Sequence, residues 1–417
     1  MEIKINDNLK KLAELLDKKL YIVGGAVRNT ILNLPFDDID ICSPFLSEHV
    51  QKVCSENGFK SKVVNEKLGT LLITDKDGEN YEYTPFRREN YLKGNHLPES
   101  VEFVDDILVD ARRRDFTCNA VYCNVFTGEI VDPYNGIKDI DNKVVKCVET
   151  PLFVFSSDGL RLLRLVRFAC ELGFKIDAKT FKTASEMVYQ LKDISAERKL
   201  AELNKIVVAD FRYNKTPNEF LRYFNYLGIY KYLLNTPCEE FKIKPSGDEY
   251  NNYFSSKSGD RLLGFFVLFL LNKYGFKYIS ESQVNCDAMM LFNTLRLSGE
   301  MCADISRTYL VLQSLKFKPL NVFTAVNYHN LTARQRNVVN LFCDVKPVSE
   351  LILNLKMSGI PLSPLKLAVL PEEIKEYVPE NKISAIQKLL FEMCLTGRVK
   401  NEKDDLIKVL KSIKVNK

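Results

Sequence analysis

Asp38-Ile39-Asp40-Ile41 alternates charge and hydrocarbon at a period of two. In a strand this puts both carboxylates on one face and both isoleucines on the other, against a core. Acids at i and i+2 lie roughly 6.6 Å apart along a strand, and their side chains can converge on two divalent cations about 4 Å apart. Alone, such a pair more often marks a strand edge whose acids simply face water. Glu82, in Tyr81-Glu82-Tyr83, is a third carboxylate in an alternating run and a candidate for a ligand or an orienting role. Just upstream, LYIVGGAVR ends a strand at Val23, sets Gly24-Gly25 next and starts a helix near Ala26. Glycines let backbone approach a ligand closely, and the first free N–H groups of a helix attract anions. The spacing is neither GxGxxG nor a Walker loop, so neither a dinucleotide fold nor a P-loop follows. A glycine pair at a helix start, then DxD, then a later strand acid, is the pattern of a two-metal nucleotidyl-transfer centre.

Asp158 and Arg161, three apart in a helical pattern, are expected to share one helix face. Cytosine and adenine both show an amino donor beside a ring-nitrogen acceptor. A carboxylate can accept from the first while a guanidinium donates to the second. Uracil and guanine present a carbonyl beside an N–H, so both contacts would fail, at about 1–3 kcal/mol for each unpaired group. One Asp/Arg pair could therefore select C and A without a nucleic-acid template. A plain intrahelical ion pair, worth about 0.2–0.5 kcal/mol, is the alternative. Arg113-Arg114-Asp115 opens a helix or turn, and Asn119, four residues beyond Asp115, falls on the same helical face, where it could bond a sugar hydroxyl.

The elements that must position these groups change in kind along the chain. The first ~150 residues hold short β-branched and aromatic runs at 20–23, 39–42, 71–74, 81–84, 121–125 and 129–132. Thr127-Gly128 reads as a hairpin turn between the last two. Beyond Pro151, as in LRLLRLVRFACELGF, apolar residues recur at three- and four-residue spacing and strand signals nearly vanish. The fold class is α+β: a head with a small mixed sheet, then a long helical region. Residues 1–19, with Leu9, Leu12 and Leu16 at helical spacing, read as an amphipathic helix rather than a signal peptide, Leu262 to Leu271 as a buried core helix too short to span a membrane, and 235–258 as a polar loop.

The motifs then resemble one family. GGAVR followed by DIDI, ARRRDFTCNAVY, DPYNGIKDI, SDGLRLLRLVRFACELGF and SAERKLAEL lie in order over residues 20–205. In this order and spacing they are similar to the motifs of the class II tRNA nucleotidyltransferase and bacterial poly(A) polymerase family, whose head is shared with the DNA polymerase beta superfamily. The resemblance implies a polymerase-beta-like head at 1–148, then an elongated helical neck at 149–213, body at 214–330 and tail at 331–417. It implies CCA addition to the 3′ end of tRNA from CTP and ATP, with Mg²⁺ at a two-metal site and Mn²⁺ as the substitute ion. Asp38 and Asp40 would be the metal ligands, with Glu82 beside them. Gly24, Gly25, Arg28, Arg113, Arg114, Asp115, Asn119, Arg164 and Arg167 would hold the nucleotide, and Asp158 with Arg161 would read its base.

Two positions depart from the family pattern. Asn29 stands where an aspartate is usual, and Ser157 where a glutamate is usual. The first would weaken a structural or triphosphate contact, and the second would leave Arg161 less firmly oriented.

The long polar segment 87–110 resembles the flexible loop of CCA-adding members. The C-terminal stretch from Ile383 resembles their tail, with seven Lys or Arg against three Asp or Glu from Thr396 onward, which suits phosphate contact. Poly(A) addition, A-only addition and a non-catalytic tRNA-binding role are the competing readings. The 417 residues carry a net charge of +5, which permits an RNA partner without demonstrating one. Eleven cysteines without CxxC and only three histidines argue against zinc and for reduced thiols in a cytoplasmic protein. No membrane or protein partner is readable.

Overall fold

The structure, a computed structural model, describes residues 5–90, 100–213, 215–216, 219–236, 258–274 and 277–413. The chain divides into two compact units, Met1–Glu240 and Phe241–Lys417.

The first unit is built on a seven-stranded mixed sheet. Its strands are β1 (Tyr21–Val23), β2 (Ile39–Ser43), β3 (Lys60–Asn65), β4 (Thr70–Thr74), β5 (Asn80–Pro85), β8 (Tyr122–Asn124) and β9 (Ile130–Val131), in the order β3-β4-β5-β2-β1-β8-β9. β2 is central, antiparallel to β1 and parallel to β5. Alternation sets its facing: Ile41, Tyr81 and Tyr83 are buried, while Asp40 and Glu82 stay exposed. Asn124 closes the β8–β9 hairpin by accepting from the N–H groups of Phe126 and Thr127, so the turn falls at Thr127-Gly128 as the sequence indicates. The helix Asp7–Leu15 is capped by Asn6 and buries Leu9 and Leu12. β3 has no sequence signal, because as an exposed edge strand it need not alternate with a core.

The polar segment 87–110 is not wholly a loop. β6 (Arg87–Asn90) and β7 (Ser100–Phe103) pair antiparallel, and α4 (Ile107–Arg112) follows. The intervening 91–99 lie outside the described residues, as does nearly all of the expected loop at 235–258.

Beyond the sheet, α5 (Gly136–Asp141) leads to α6 (Pro151–Ser157), α7 (Leu160–Leu172) and α9 (Ala196–Ile206). In α7 the i, i+3, i+4 pattern buries Leu162, Leu163, Leu165 and Val166. Arg167 ties α7 to α9 through Glu202 and also pairs with Glu171.

The second unit is helical in its described residues. Residues 262–271 of the helix Ser258–Tyr274 are buried, as their apolar run requires. No helix among the described residues is long and apolar enough to cross a membrane.

Candidate active site

β1 ends at Val23; Gly24 follows with a φ of +76° that few side chains tolerate, and Gly25 begins α2 (Gly25–Ile31). A Cβ on Gly24 would lie 3.7 Å from Asp40 Oδ2 and 3.9 Å from Arg114 Nη1. The turn therefore brings backbone up to a carboxylate and a guanidinium at once. Although Asp40 stays open to solvent, the cleft walls withdraw water from its carboxyl and raise its pKa; Asp38 adds to the rise, while Arg114 and Arg164 oppose it. Glu82 sits beside Asp40 in the β2–β5 register and is likewise raised, by loss of water and then by Asp40 and Asp38.

The arginines follow from one buried acid. Asp110 in α4 is fully buried and takes Arg113 Nε at 2.8 Å, Arg114 Nη2 at 3.2 Å and the Tyr122 hydroxyl at 2.8 Å. Burial pushes its carboxyl up, but Arg113 and Arg114 overcome this and hold it down at about 2. The i, i+3 and i, i+4 spacing of Asp110 to Arg113 and Arg114 is the signal by which the sequence could have shown it.

Asp115 accepts from Arg164 Nε at 2.7 Å, Asn119 Nδ2 at 3.1 Å and the Phe116 N–H at 2.8 Å. Its burial opposes ionisation, yet Arg164 and Arg161 hold it well below the usual carboxylate range. Asp115 and Asn119 do not share a helix face, since Asp115 precedes the short 3₁₀ turn Thr117–Asn119 that carries Asn119. The turn folds back, so the two side chains meet nonetheless. Asn119 Oδ1 also accepts from Arg28, which is itself buried. Asn29 is fully engaged: its oxygen accepts from Arg28, and its amide donates to Pro35 O at 2.8 Å and the Tyr213 hydroxyl at 2.6 Å. Arg28, Arg164 and Arg167 surround the Phe168 ring at 5.1, 5.2 and 4.1 Å from its centroid, a cation–π contact for each.

The expected shared face of Asp158 and Arg161 is not observed. Asp158 ends α6 in an extended conformation, outside the helix that carries Arg161. One carboxylate oxygen caps Leu160 N–H at 3.0 Å, and the other takes Arg198 Nη2 at 2.7 Å. Arg161 turns back to α6 and the head, donating to Ser157 Oγ at 2.8 Å, Val154 O at 3.3 Å and Arg113 O at 2.5 Å. Ser157 thus anchors Arg161 rather than loosening it.

These groups line one cleft of about 740 Å³. Gly24, Gly25, Arg28, Asp38, Asp40, Arg113, Arg114, Asp115, Asn119, Asp158, Arg161, Arg164 and Arg167 are all on its wall, and Glu82 is not. Arg198, Lys205, Arg212 and Glu89 join them without having been singled out from the sequence. Nine cationic side chains against seven carboxylates suit a polyanion such as a triphosphate. Among the described residues, no three His, Cys, Asp or Glu side chains cluster as a ready metal cage. Asp38 and Asp40 still offer two solvent-open, hard oxygen donors at the cleft, which fits a Mg²⁺ ion that also binds phosphate oxygens.

A glycine turn, paired strand carboxylates and convergent arginines on this sheet make the first unit a nucleotidyltransferase head. Residues 20–146 match the family described as Poly A polymerase head domain, and residues 173–235 match the probable RNA and SrmB-binding site of polymerase A. Over residues 20–146 the N-terminal unit is therefore similar to the head domain of poly(A) polymerases. Over 234 residues the chain is 34% identical to the CCA-adding enzyme of Ligilactobacillus salivarius, covering 55% of each. Over 190 residues it is 38% identical to that of Streptococcus thermophilus, covering 45% of this chain and 46% of the relative. The matched region spans about half the length of these curated relatives. The fold is shared with the Bacillus stearothermophilus CCA-adding enzyme in complex with CTP (TM-score 0.66, 20% identity, 97% of this chain and 96% of that one). It is shared also with the Thermotoga maritima CCA-adding enzyme complexed with tRNA (TM-score 0.66, 19% identity, 97% and 95%).

Proposed function

We propose that this protein is a tRNA nucleotidyltransferase that adds C, C and A to the tRNA 3′ end from CTP and ATP without a nucleic-acid template. The observation that carries the reading is the meeting of Asp38 and Asp40 with Asp158 in a single arginine-lined cleft. In the reaction the tRNA 3′-hydroxyl attacks the α-phosphorus, the bond to the β,γ-phosphates breaks, and pyrophosphate leaves. Asp38 and Asp40 would hold Mg²⁺, which when bound lowers the pKa of the hydroxyl and neutralises the triphosphate. Glu82 orients the pair from the neighbouring strand. Arg114 and Arg164, fixed by Asp110 and Asp115, take the phosphates, and Asn119, held between Arg28 and Asp115, meets the ribose. Asp158 accepts from the amino group of C or A.

The curated relatives and the family matches support this assignment, and the named complexes of the structural neighbours with CTP, ATP and tRNA agree with it. We assign 1–148 as head, 149–213 as neck, 214–330 as body and 331–417 as a tRNA-binding tail, and place the enzyme with its substrate in the cytoplasm.

The test is incorporation by the purified chain with Mg²⁺ on tRNA lacking CCA and on tRNA ending in CC. The expected products are C-C-A on the first and a single A on the second. A long A tail on any RNA would make it a poly(A) polymerase, and A only on the CC-ended tRNA an A-adding enzyme.

A further inference from the structure

Asp40 is fixed by its strand, and Asp38 is not. β2 pairs with β5 from Ile39 and with β1 from Asp40, so Asp38 lies one residue outside the ladder, at the end of the loop 33–38. What holds this loop comes from the end of α10 (Ala209–Arg212) and the residue after it. The Tyr213 hydroxyl donates to Pro35 O at 3.2 Å and accepts from Asn29 Nδ2 at 2.6 Å, while Asn29 Nδ2 also donates to Pro35 O at 2.8 Å. The Asn29 amide can stand only this way round. Its oxygen faces Arg28, which can only donate, and its nitrogen faces a carbonyl, which can only accept. Arg212 adds an ion pair to Asp37 at 3.0 Å and reaches the buried Glu171 at 3.4 Å, which Arg167 ties on to Glu202. Asp37 has 82% of its side chain exposed, so its ion pair contributes little, and the triangle of Asn29, Tyr213 and Pro35 carries most of the hold. Pro35 and Asp37 are gripped on either side of Phe36, which lines the cleft.

We propose that Asn29 and Tyr213, with Arg212 in support, are positioning residues that clamp the loop 33–38 and thereby set Asp38 beside Asp40 at the cleft. This rests on the proposed nucleotidyl transfer, in which Asp38 is a metal ligand. The clamp needs an amide at position 29. An aspartate there would set a carboxylate against the Pro35 carbonyl with no proton between them. The Tyr213 hydroxyl has one proton and cannot serve both oxygens. The aspartate usual at this position in the family would therefore loosen this loop, and Asn29 is matched to Tyr213 rather than being a weakened version of the acid.

The test compares the wild-type chain with Tyr213→Phe, Asn29→Asp, the double variant and Arg212→Met. Amide hydrogen exchange over 33–40 reports on the loop, and kcat and KM for CTP on tRNA lacking CCA report on transfer. Electron paramagnetic resonance of Mn²⁺, with CTP and no tRNA, reports on metal affinity. One such hydrogen bond is worth about fivefold in an equilibrium, so Tyr213→Phe should speed exchange over 33–40 about fivefold and weaken Mn²⁺ binding by a similar factor. Asn29→Asp, which opposes two acceptors, should do both about tenfold or more. In each, kcat should fall by a similar factor while KM for CTP stays within about threefold. The double variant should be little worse than Asn29→Asp, because both changes break one network, and Arg212→Met should have the smallest effect on exchange. Unchanged exchange over 33–40 in Asn29→Asp, faster exchange with wild-type Mn²⁺ affinity, or effects of the two changes that simply multiply would overturn the clamp. Absence of transfer by the wild-type chain would sink the proposed function, while exchange and Mn²⁺ binding would still decide on the clamp.

Discussion

Asp110→Asn removes one charge from the centre of the arginine cluster and changes almost no volume. A native carboxyl value of about 2, against 3.8 for an ordinary aspartate, corresponds to folding stability on the order of 2 kcal/mol at neutral pH. The sign follows from the lowered value: the contribution is fully present above pH ~4 and fades as pH falls toward the native value. At pH 3 roughly half should remain. The same loss seen from the other side leaves Arg113 and Arg114 without their shared counterion, and breaking a buried pair in this way runs about 3–5 kcal/mol. The variant should therefore be less stable by about 2–5 kcal/mol at pH 7, with a gap that narrows on acidification.

The assay is native-state hydrogen exchange of amides in 107–124, compared between wild type and variant at several pH values, because the two units need not unfold together. Every other carboxylate titrates in both proteins, so the difference isolates Asp110. A gap below about 0.5 kcal/mol, or one that stays constant from pH 7 to pH 3, would refute the argument that Asp110 organises the arginines through its charge.

Gly136→Ala should destabilise the head by about 3 kcal/mol or more, since the new Cβ would lie 2.2 Å from the Thr117 carbonyl oxygen and backbone cannot yield as a flexible side chain does. A melting temperature within 2 °C of wild type would show that α5 slides freely. Asp40→Ala should cut nucleotide incorporation about a thousandfold, the several kcal/mol a metal clamp supplies, while tRNA affinity by filter binding stays within threefold. An equal loss of binding would remove Asp40 from the chemistry.

The sequence by itself determined the local periods. Asp38-Ile39-Asp40-Ile41 had to present its acids on one face once it was a strand, because side chains alternate. LRLLRLVRFACELGF had to bury one face of a helix, and Gly24 had to stand where the backbone turns with positive φ. Motif order carried the family and most of the cleft wall, since those residue types mark contacts that chemistry demands. What it could not contain was the destination of each long side chain. Arg161 and Asp158 are three residues apart, but a helix break falls between them, and a break depends on how α6 and α7 pack rather than on spacing. Arg198 reaches Asp158 across forty positions, and Asp110 gathers Arg113, Arg114 and Tyr122 only after α4 is buried against the sheet. Those pairings are decided in tertiary structure, because a buried guanidinium must find acceptors within its reach and several candidates lie equally near in sequence.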